Sequence, residues 1–239
     1  MSIVENEFYN NEKQMKISQI PAEIAQCLVQ SGIRPEGNVY LAAYLLHKVS
    51  QDISHMDNIT LEDIYNGKLD IDEDTRCFAK AHLTEEAWKQ LLRLVNYYTP
   101  EELAWVALFP GDEEESKTAM ATPHSIIKLA QSILCVQEGE CVADLCCGSG
   151  SYIVAEAQNQ NKAHYYGYEI NEERGRIVKI RAELLGANVH VELCDVFNLV
   201  KDNPAPKFDK IFSNYPFGMK LRYLGEGTEY MERLSRKYP

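Results

Sequence analysis

The sequence predicts an α/β protein in which a doubly wound, parallel sheet follows an all-α N-terminal domain. In the first half of the chain, apolar residues recur at helical spacing; in the second half, short apolar strands alternate with helices. A glycine-rich turn, residues 148–150, comes directly after one of these strands. We therefore divide the 239 residues into a helical domain, 1–115, and an α/β domain, 116–239.

The helical domain is predicted from apolar periodicity and from residues that start or stop helices. The first helix is expected to start near Pro21, because proline favours the first turn, and to end at Gly32. The last begins with a capping box over residues 99–102. The predicted helices are Ile20–Ser31, Val39–Ser50, Thr84–Tyr98 and Pro100–Leu108. The charged, unpatterned run 111–116 is interpreted as the linker between the domains.

The α/β domain is predicted from strands and helices that alternate after the linker, which implies parallel βαβ units. The predicted strands are Cys141–Cys146, His164–Ile170, Val189–Cys194 and Phe208–Ser213. The predicted helices are Thr122–Leu134, Ser151–Asn159 and Asn171–Leu185.

Composition excludes several classes of protein. Apolar residues make up 45% of the chain, enough for a buried core, but no apolar run approaches the roughly 18 residues of a membrane span. The acidic N-terminus lacks the apolar core of a signal peptide, so we expect a cytoplasmic protein. Residues 1–115 hold 9 Lys and Arg against 21 Asp and Glu, whereas residues 116–239 hold 15 of each. The helical domain should therefore be repelled by nucleic acid.

The cysteines and histidines predict no metal site. The seven cysteines lie in apolar or strand-like stretches, which favours reduced, buried thiols. Cys141, Cys146 and Cys147 cluster, but no histidine or second cysteine pair lies at zinc-ligand spacing.

Three consecutive strand ends carry residues that could hold a cofactor. The first runs from Asp144 into glycines 148 and 150, which allow a tight turn and close backbone approach to a ligand. Glu169 ends the next strand, 19 residues past Gly150, where a doubly wound sheet binds ribose hydroxyls. Asp195 follows the third strand and could accept a hydrogen bond from an adenine amine. Singly, each is equally a βα turn, a solvated glutamate or a cap residue; together they predict a site.

The same features would suit a nicotinamide dinucleotide, but two details favour S-adenosylmethionine (SAM). The fingerprint Gly-x-Gly-x-x-Gly is incomplete, because Ile153 occupies the third glycine position. A carboxylate at Asp144 would repel a pyrophosphate and would attract a cationic sulfonium.

A fourth motif follows the fourth strand and carries a family resemblance. Residues 214–217 read Asn-Tyr-Pro-Phe, which resembles the Asn-Pro-Pro-Phe motif of N6-adenine DNA methylases, especially the modification subunit of type I restriction–modification systems. Thr122-Pro123 is similar to the family's cofactor motif before the first strand, and residues 144–150 to its glycine loop. Glu169 and Asp195 match its ribose and adenine positions. The resemblance covers residues 118–218.

The resemblance implies a SAM-dependent methyltransferase (Rossmann-like) sheet, incomplete at the C-terminus because the family has seven strands and four are predicted here. It implies catalytic roles for Asn214, Tyr215, Pro216 and Phe217. It implies cofactor binding by Thr122, Pro123, Asp144, Gly148, Ser149, Gly150, Ser151, Glu169, Asp195 and Val196. The chain ends 21 residues past Gly218, so we interpret it as a fragment, a truncated product or a protein completed by a partner.

The chemistry of adenine explains these residue types. The Asn214 side-chain oxygen and the carbonyl of residue 215 can hold both hydrogens of the amine and localise its lone pair. Phe217 can stack on a base that is flipped out of the duplex. Tyr215 stands where the family has proline, so its loop is less rigid, although preceding Pro216 still favours extended backbone.

The resemblance also implies partners. The expected substrate is double-stranded DNA, bound through a separate specificity subunit, with a restriction subunit as a further possible partner and no membrane. Two alternatives remain open: a SAM-dependent methyltransferase acting on RNA or on protein glutamine, and a truncated, non-catalytic SAM-binding module.

Overall fold

The computed structural model describes residues 3–51, 59–109, 122–196 and 207–215, with side chains from residue 16 onward. By contacts the chain forms two compact units, Met1–Ala121 with Arg176–Asn188, and Thr122–Gly175 with Val189–Pro239. We call them the helical unit and the sheet unit. The predicted linker, residues 111–116, lies outside the described residues.

The helical unit consists of one long helix and several shorter ones. Its helices are α1 Ile3–Gln30, α2 Asn38–Gln51, α3 Leu61–Tyr65, α4 Glu73–His82, α5 Glu85–Leu92 and α6 Pro100–Ala104. Two 3-10 turns follow α5 and α6, at Arg93–Asn96 and Trp105–Leu108. Residues 38–46 of α2 are all buried, so this helix forms the centre of the unit.

Helix α1 corrects one prediction. It runs through Pro21 instead of starting there, and begins at Ile3. An interior proline costs a helix about 3 kcal/mol. Burial offsets that cost, because apolar side chains on both sides of the proline share one face of the helix. The buried residues are Ile17, Ile20, Ile24 and Leu28.

Helices α3 and α4 were not predicted from the sequence. Both are short and start at side-chain caps: Thr60 Oγ1 accepts from Asp63 N at 3.1 Å, and Asp72 Oδ1 accepts from Thr75 N at 2.9 Å. The predicted capping box at α6 is confirmed. Thr99 Oγ1 accepts from Glu102 N at 3.2 Å, and Glu102 Oε2 accepts from Thr99 N at 3.0 Å.

The described part of the sheet unit contains four parallel strands and two whole helices, so the predicted fold class is confirmed. The two helices are α7 His124–Leu134 and α8 Ser151–Asn159, and a third helix, α9 Glu172–Leu184, begins in this unit. The strands are β1 Cys141–Asp144, β2 His164–Glu169, β3 Val189–Leu193 and β4 Lys210–Phe212. Their order is β3-β2-β1-β4. Each strand ends earlier than predicted, because the residues at its carboxyl end turn out of the sheet.

Most of helix α9 belongs to the helical unit. Its residues Ile177, Ile180 and Leu184 join that unit's apolar core. Arg181, only 2% exposed, donates from Nε to the carbonyl oxygen of Ala107 at 2.8 Å, and its guanidinium lies 4.5 Å from the ring centre of Tyr40. The helical unit is therefore completed by a segment that lies between β2 and β3 in the sequence.

The cysteines are all described and are free thiols. The expectation that they are buried is wrong for Cys77 and Cys135, which are exposed; Cys147 is buried. Within the described part of the chain, no group of three or more His, Cys, Asp or Glu side chains could hold a metal ion. None of the described helices is both long enough and apolar enough to cross a membrane.

Candidate active site

The polar residues predicted at four strand ends share one edge of the sheet. Asp144 and Glu169 are the last residues of β1 and β2. Asp195 and Asn214 lie two residues beyond β3 and β4. Because all four strands are parallel, their carboxyl ends meet at the same edge, and the order of the strands reverses between β1 and β4. This is the position at which open α/β sheets bind ligands.

The glycine loop connects β1 to α8. Gly148 and Gly150 both have positive φ, 56° and 86°, which other residues adopt with strain. A Cβ built on Gly148 would meet nothing within 4 Å, so the space above this residue is open. Ser149 is buried, and Ser151 is the first residue of α8. The loop thus leaves open space over Gly148, close to the N-terminus of α8, where ligands with acceptor groups bind.

Glu169 fastens this loop to the end of β2. Its Oε2 accepts from the backbone N–H of Gly148 at 2.8 Å, and its Oε1 accepts from the N–H of Asn171 at 2.8 Å. The main chain adds a third link, from Cys147 N to the carbonyl of Tyr168 at 3.0 Å. A carboxylate oxygen has two lone pairs, so both oxygens of Glu169 keep acceptor capacity for a ligand.

Asp144 is almost inaccessible to solvent, at 2% exposed. Burial raises the pKa of this carboxyl to about 7; the N–H of Cys146, 3.3 Å from Oδ1, opposes the shift, and the charge of Glu169 adds to it. A carboxyl with this pKa becomes ionised readily when a positive charge arrives beside it. The end of β1 therefore favours a cationic ligand over an anionic one.

Cys146 lies among the three acidic residues. Burial raises the pKa of its thiol, a contact with the Ser213 side chain opposes this, and the charges of Asp144, Glu169 and Asp195 raise it further. The strands β1, β2 and β3 are parallel neighbours, so their carboxyl ends lie at the same edge of the sheet as this thiol. The fold therefore brings the ends of β1, β2 and β3 together.

Asn214 is hydrogen-bonded to Thr122, which lies two residues before α7. Its Nδ2 donates to Thr122 Oγ1 at 3.1 Å, across 92 positions of sequence. Pro123 caps the start of α7, and its carbonyl accepts from Ile126 N at 2.9 Å and Ile127 N at 3.0 Å. Thr122 of the Thr-Pro element and Asn214 of the Asn-Tyr-Pro-Phe element, predicted as separate motifs, are therefore in contact.

The end of β4 is held against the helix that follows the glycine loop. Phe212 stacks on the buried Tyr152 of α8, with ring centres 4.0 Å apart and planes 22° apart. The N–H of Leu145 donates to the Phe212 carbonyl at 3.2 Å. Since Asn214 is two residues further on, these contacts fix its position relative to the loop.

Four further residues were predicted for the site: Val196, Tyr215, Pro216 and Phe217. Tyr215 is 66% exposed, so its ring has found no buried position. Val196 directly follows Asp195, and both are partly exposed. Pro216 and Phe217 lie outside the described residues.

Sequence reasoning missed four contributors to this site: Cys146, Asn171, Tyr152 and Phe212. Asn171 had a recognisable signal, because its side chain caps α9 by accepting from Arg174 N at 3.0 Å, and Asn before two glutamates is typical of a helix start. The Tyr152–Phe212 stack had none, because it joins residues that are distant in the sequence.

Comparison with known families agrees with this geometry. The profile of the N-6 DNA methylase family matches residues 96–237, more than half of the chain. The chain belongs to the N-6 DNA methylase family. The resemblance predicted from the motifs is thereby confirmed. The comparison with curated proteins found no match.

One of three similar solved structures, from Vibrio vulnificus, shares the fold of this methylase-family chain. A protein from Vibrio vulnificus, named as a modification subunit of a type I restriction enzyme, aligns over 86% of this chain and 61% of its own, with 14% identity and a TM-score of 0.55. A class I SAM-dependent methyltransferase by name, from Listeria monocytogenes, aligns over 89% and 63%, with 14% identity and a TM-score of 0.45. An RNA methyltransferase from Salinibacter ruber aligns over 32% and 51%, with 23% identity and a TM-score of 0.31. The chain thus spans between half and two thirds of these proteins.

Proposed function

We propose that this chain is the SAM-binding and catalytic part of a DNA adenine-N6 methyltransferase, acting as a subunit of a restriction–modification system. The observation that carries the proposal is the convergence of Asp144, Glu169, Asp195 and Asn214 at one sheet edge of a chain in the N-6 DNA methylase family. The Vibrio structure, named as a type I modification subunit, supports the restriction–modification setting.

The residues at the sheet edge suit SAM. Glu169 would accept from the ribose hydroxyls and Asp195 from the adenine amine, while the open space over Gly148 admits the body of the ligand. The buried Asp144 favours the positively charged amino-acid and sulfonium end, because a cation there stabilises its ionised form. A pyrophosphate would face the same carboxylate and be repelled. The neighbouring residues Ser149, Ser151, Pro123 and Val196 would complete the pocket.

The catalytic work of the chain is to hold the adenine amine. Its nitrogen is a poor nucleophile because the lone pair is delocalised into the ring. Acceptance of one N–H by Asn214 Oδ1 and the other by the Tyr215 carbonyl would localise that pair. SAM, when bound, would supply the electrophilic methyl group, and the amine would release its excess proton to solvent. Positioning of the amine in line would supply most of the rate.

Charge supports a partner for DNA binding. The helical domain's predicted range, 1–115, carries 21 acidic against 9 basic residues, and residues 116–239 are neutral overall. Phosphate contacts require clustered cations, and each one adds salt-dependent affinity. We therefore infer that a separate specificity subunit holds the duplex. The isolated chain should bind DNA with a dissociation constant on the order of 10⁻⁴ M or weaker at physiological salt.

The test separates binding from chemistry in one variant. Asn214→Ala should abolish methyl transfer from labelled SAM to duplex DNA, because the amine loses its acceptor, and should leave the SAM dissociation constant within about twofold. The assay is run on the chain alone and on the chain with its co-purifying subunits. Glu192→Ala, an exposed change on β3, is the matched control and should alter neither quantity. Equal loss of SAM binding and transfer in Asn214→Ala would assign the residue to the cofactor pocket and contradict the proposal.

A further inference from the structure

We infer that Thr122 is a positioning residue for the catalytic amide: its hydroxyl accepts from Asn214 Nδ2 and holds the side chain so that its oxygen, and not the NH₂ group, faces the substrate amine. This inference deepens the proposed function and rests on it. It assigns Thr122 a different role from the cofactor binding implied by the family resemblance.

The geometry carries the inference through one hydrogen bond. Asn214 Nδ2 donates to Thr122 Oγ1 at 3.1 Å. Within the described part of the chain, no group donates to Asn214 Oδ1, so the acceptor end of the amide remains open to a ligand. The side chains of both residues are partly buried, so water has limited access to the hydrogen bond between them.

The orientation matters because the two ends of an asparagine amide differ chemically and little in shape. The oxygen accepts hydrogen bonds and the nitrogen donates them. The substrate amine must donate, so it requires the oxygen. A rotation of about 180° would present NH₂ to an amine that also bears hydrogens, and the lone pair would no longer be localised. Once the substrate amine occupies the oxygen, Nδ2 needs an acceptor of its own, and Thr122 Oγ1 supplies it. The hydrogen bond thereby stabilises the productive orientation while substrate is bound.

Thr122 is itself held in place. It precedes Pro123, and a residue before proline is restricted to extended backbone. Pro123 in turn caps α7, with its carbonyl accepting from Ile126 N and Ile127 N. On the other side, the Phe212 ring stacked on Tyr152 fixes the strand that leads to Asn214. The hydroxyl and the amide therefore meet through two independently anchored segments.

The test compares Thr122→Val, which keeps the shape and removes the hydroxyl, with Thr122→Ser, which keeps the hydroxyl. Four quantities are measured: the SAM dissociation constant, kcat and KM for adenine DNA, and solvent exchange of the Asn214 side-chain NH₂ protons by NMR. The NMR signal is assigned by its loss in Asn214→Ala. The protein used is the full chain with any co-purifying subunits.

We expect Thr122→Val to lower kcat about tenfold, the effect of a lost hydrogen bond of about 1.4 kcal/mol. Its KM and SAM affinity should change less than about twofold. Exchange of the Asn214 NH₂ protons should accelerate about tenfold. Thr122→Ser should restore kcat and slow exchange. A structural role for Thr122 would lower SAM binding, kcat and thermal stability together.

Two results would overturn the inference. The first is a SAM affinity that falls in Thr122→Val as much as kcat does, which would return Thr122 to the cofactor pocket. The second is unchanged NH₂ exchange in Thr122→Val, since the hydroxyl would then hold nothing. The exchange measurement needs no turnover. A wild type that fails to methylate adenine would therefore contradict the proposed function while the NMR comparison still decides the role of Thr122.

Discussion

The carboxylate of Glu169 accepts the backbone N–H of Gly148 at 2.8 Å, so the residue proposed to bind ribose also holds the glycine loop closed. Its other oxygen accepts from the N–H of Asn171. One side chain thus joins the segments that follow β1 and β2. Loss of Glu169 should affect the cofactor pocket twice, by removing a ligand acceptor and by releasing the loop.

Glu169→Ala is therefore expected to weaken SAM binding by at least the value of one charged hydrogen bond, about 1.5–3 kcal/mol, as measured by calorimetry. In the ligand-free protein, hydrogen exchange at the Gly148 amide should also accelerate. Glu169→Gln, which keeps one acceptor for an N–H, should lose less affinity. Glu192→Ala on β3 serves again as the exposed control. An unchanged dissociation constant in Glu169→Ala would remove the residue from the site.

Asp144 should make stability depend on pH. Its folded pKa of about 7 lies above the ordinary value of 3.8, so between these values the folded protein holds a proton that the unfolded chain has released. The sign follows: the carboxyl's favourable contribution is complete below pH 4 and is lost as the pH rises to about 7. The amide side chain of the Asp144→Asn variant cannot titrate, so this variant is the reference. The difference in free energy of unfolding, wild type minus variant, should fall by roughly 4 kcal/mol over that range.

Denaturant titrations of both proteins at pH 4, 5.5, 7 and 8 measure this difference, monitored by a probe in the sheet unit. A difference that rises with pH would mean that Asp144 is ionised in the folded protein, and the preference for a cationic ligand would lose its basis.

Arg181 should be required for the stability of the helical unit. The hydrogen bond from its Nε–H to the Ala107 carbonyl is buried, and truncation of Arg181 leaves that carbonyl without this donor. Arg181→Ala is expected to lower the free energy of unfolding of the helical unit by about 1.5–3 kcal/mol. Lys179→Ala, two residues earlier on α9 and partly exposed, is the control and should cost less than about 0.5 kcal/mol. If thermal denaturation showed the same small loss of unfolding free energy for Arg181→Ala as for Lys179→Ala, α9 would add little to the stability of this unit.

The sequence was most informative where local chemistry decides structure. The capping box at Thr99, the alternation of strands and helices, and the residues at the strand ends all depend on neighbours within a few positions. Pro21 misled for the same reason, since its local preference for a helix start was outweighed by burial of apolar residues on both sides.

Contacts between distant segments could not be predicted. The Thr122–Asn214 hydrogen bond spans 92 positions, and the Arg181–Ala107 bond spans 74. Both depend on how completed elements pack, for which apolar periodicity carries no signal. The motifs therefore predicted which polar residues lie at this edge of the sheet, whereas the contacts between them, such as Glu169 holding Gly148, required the fold.

The identity of the methylated atom tests the central claim most directly. The chain, with any subunits that co-purify with it, is incubated with isotope-labelled SAM and duplex DNA, and the DNA is digested to nucleosides and analysed by mass spectrometry. We predict labelled N6-methyl-2′-deoxyadenosine, and none when Asn214→Ala replaces the wild type. Label found instead in RNA, in protein glutamine or at another DNA base, or no transfer at all, would contradict the assignment as a DNA adenine-N6 methyltransferase.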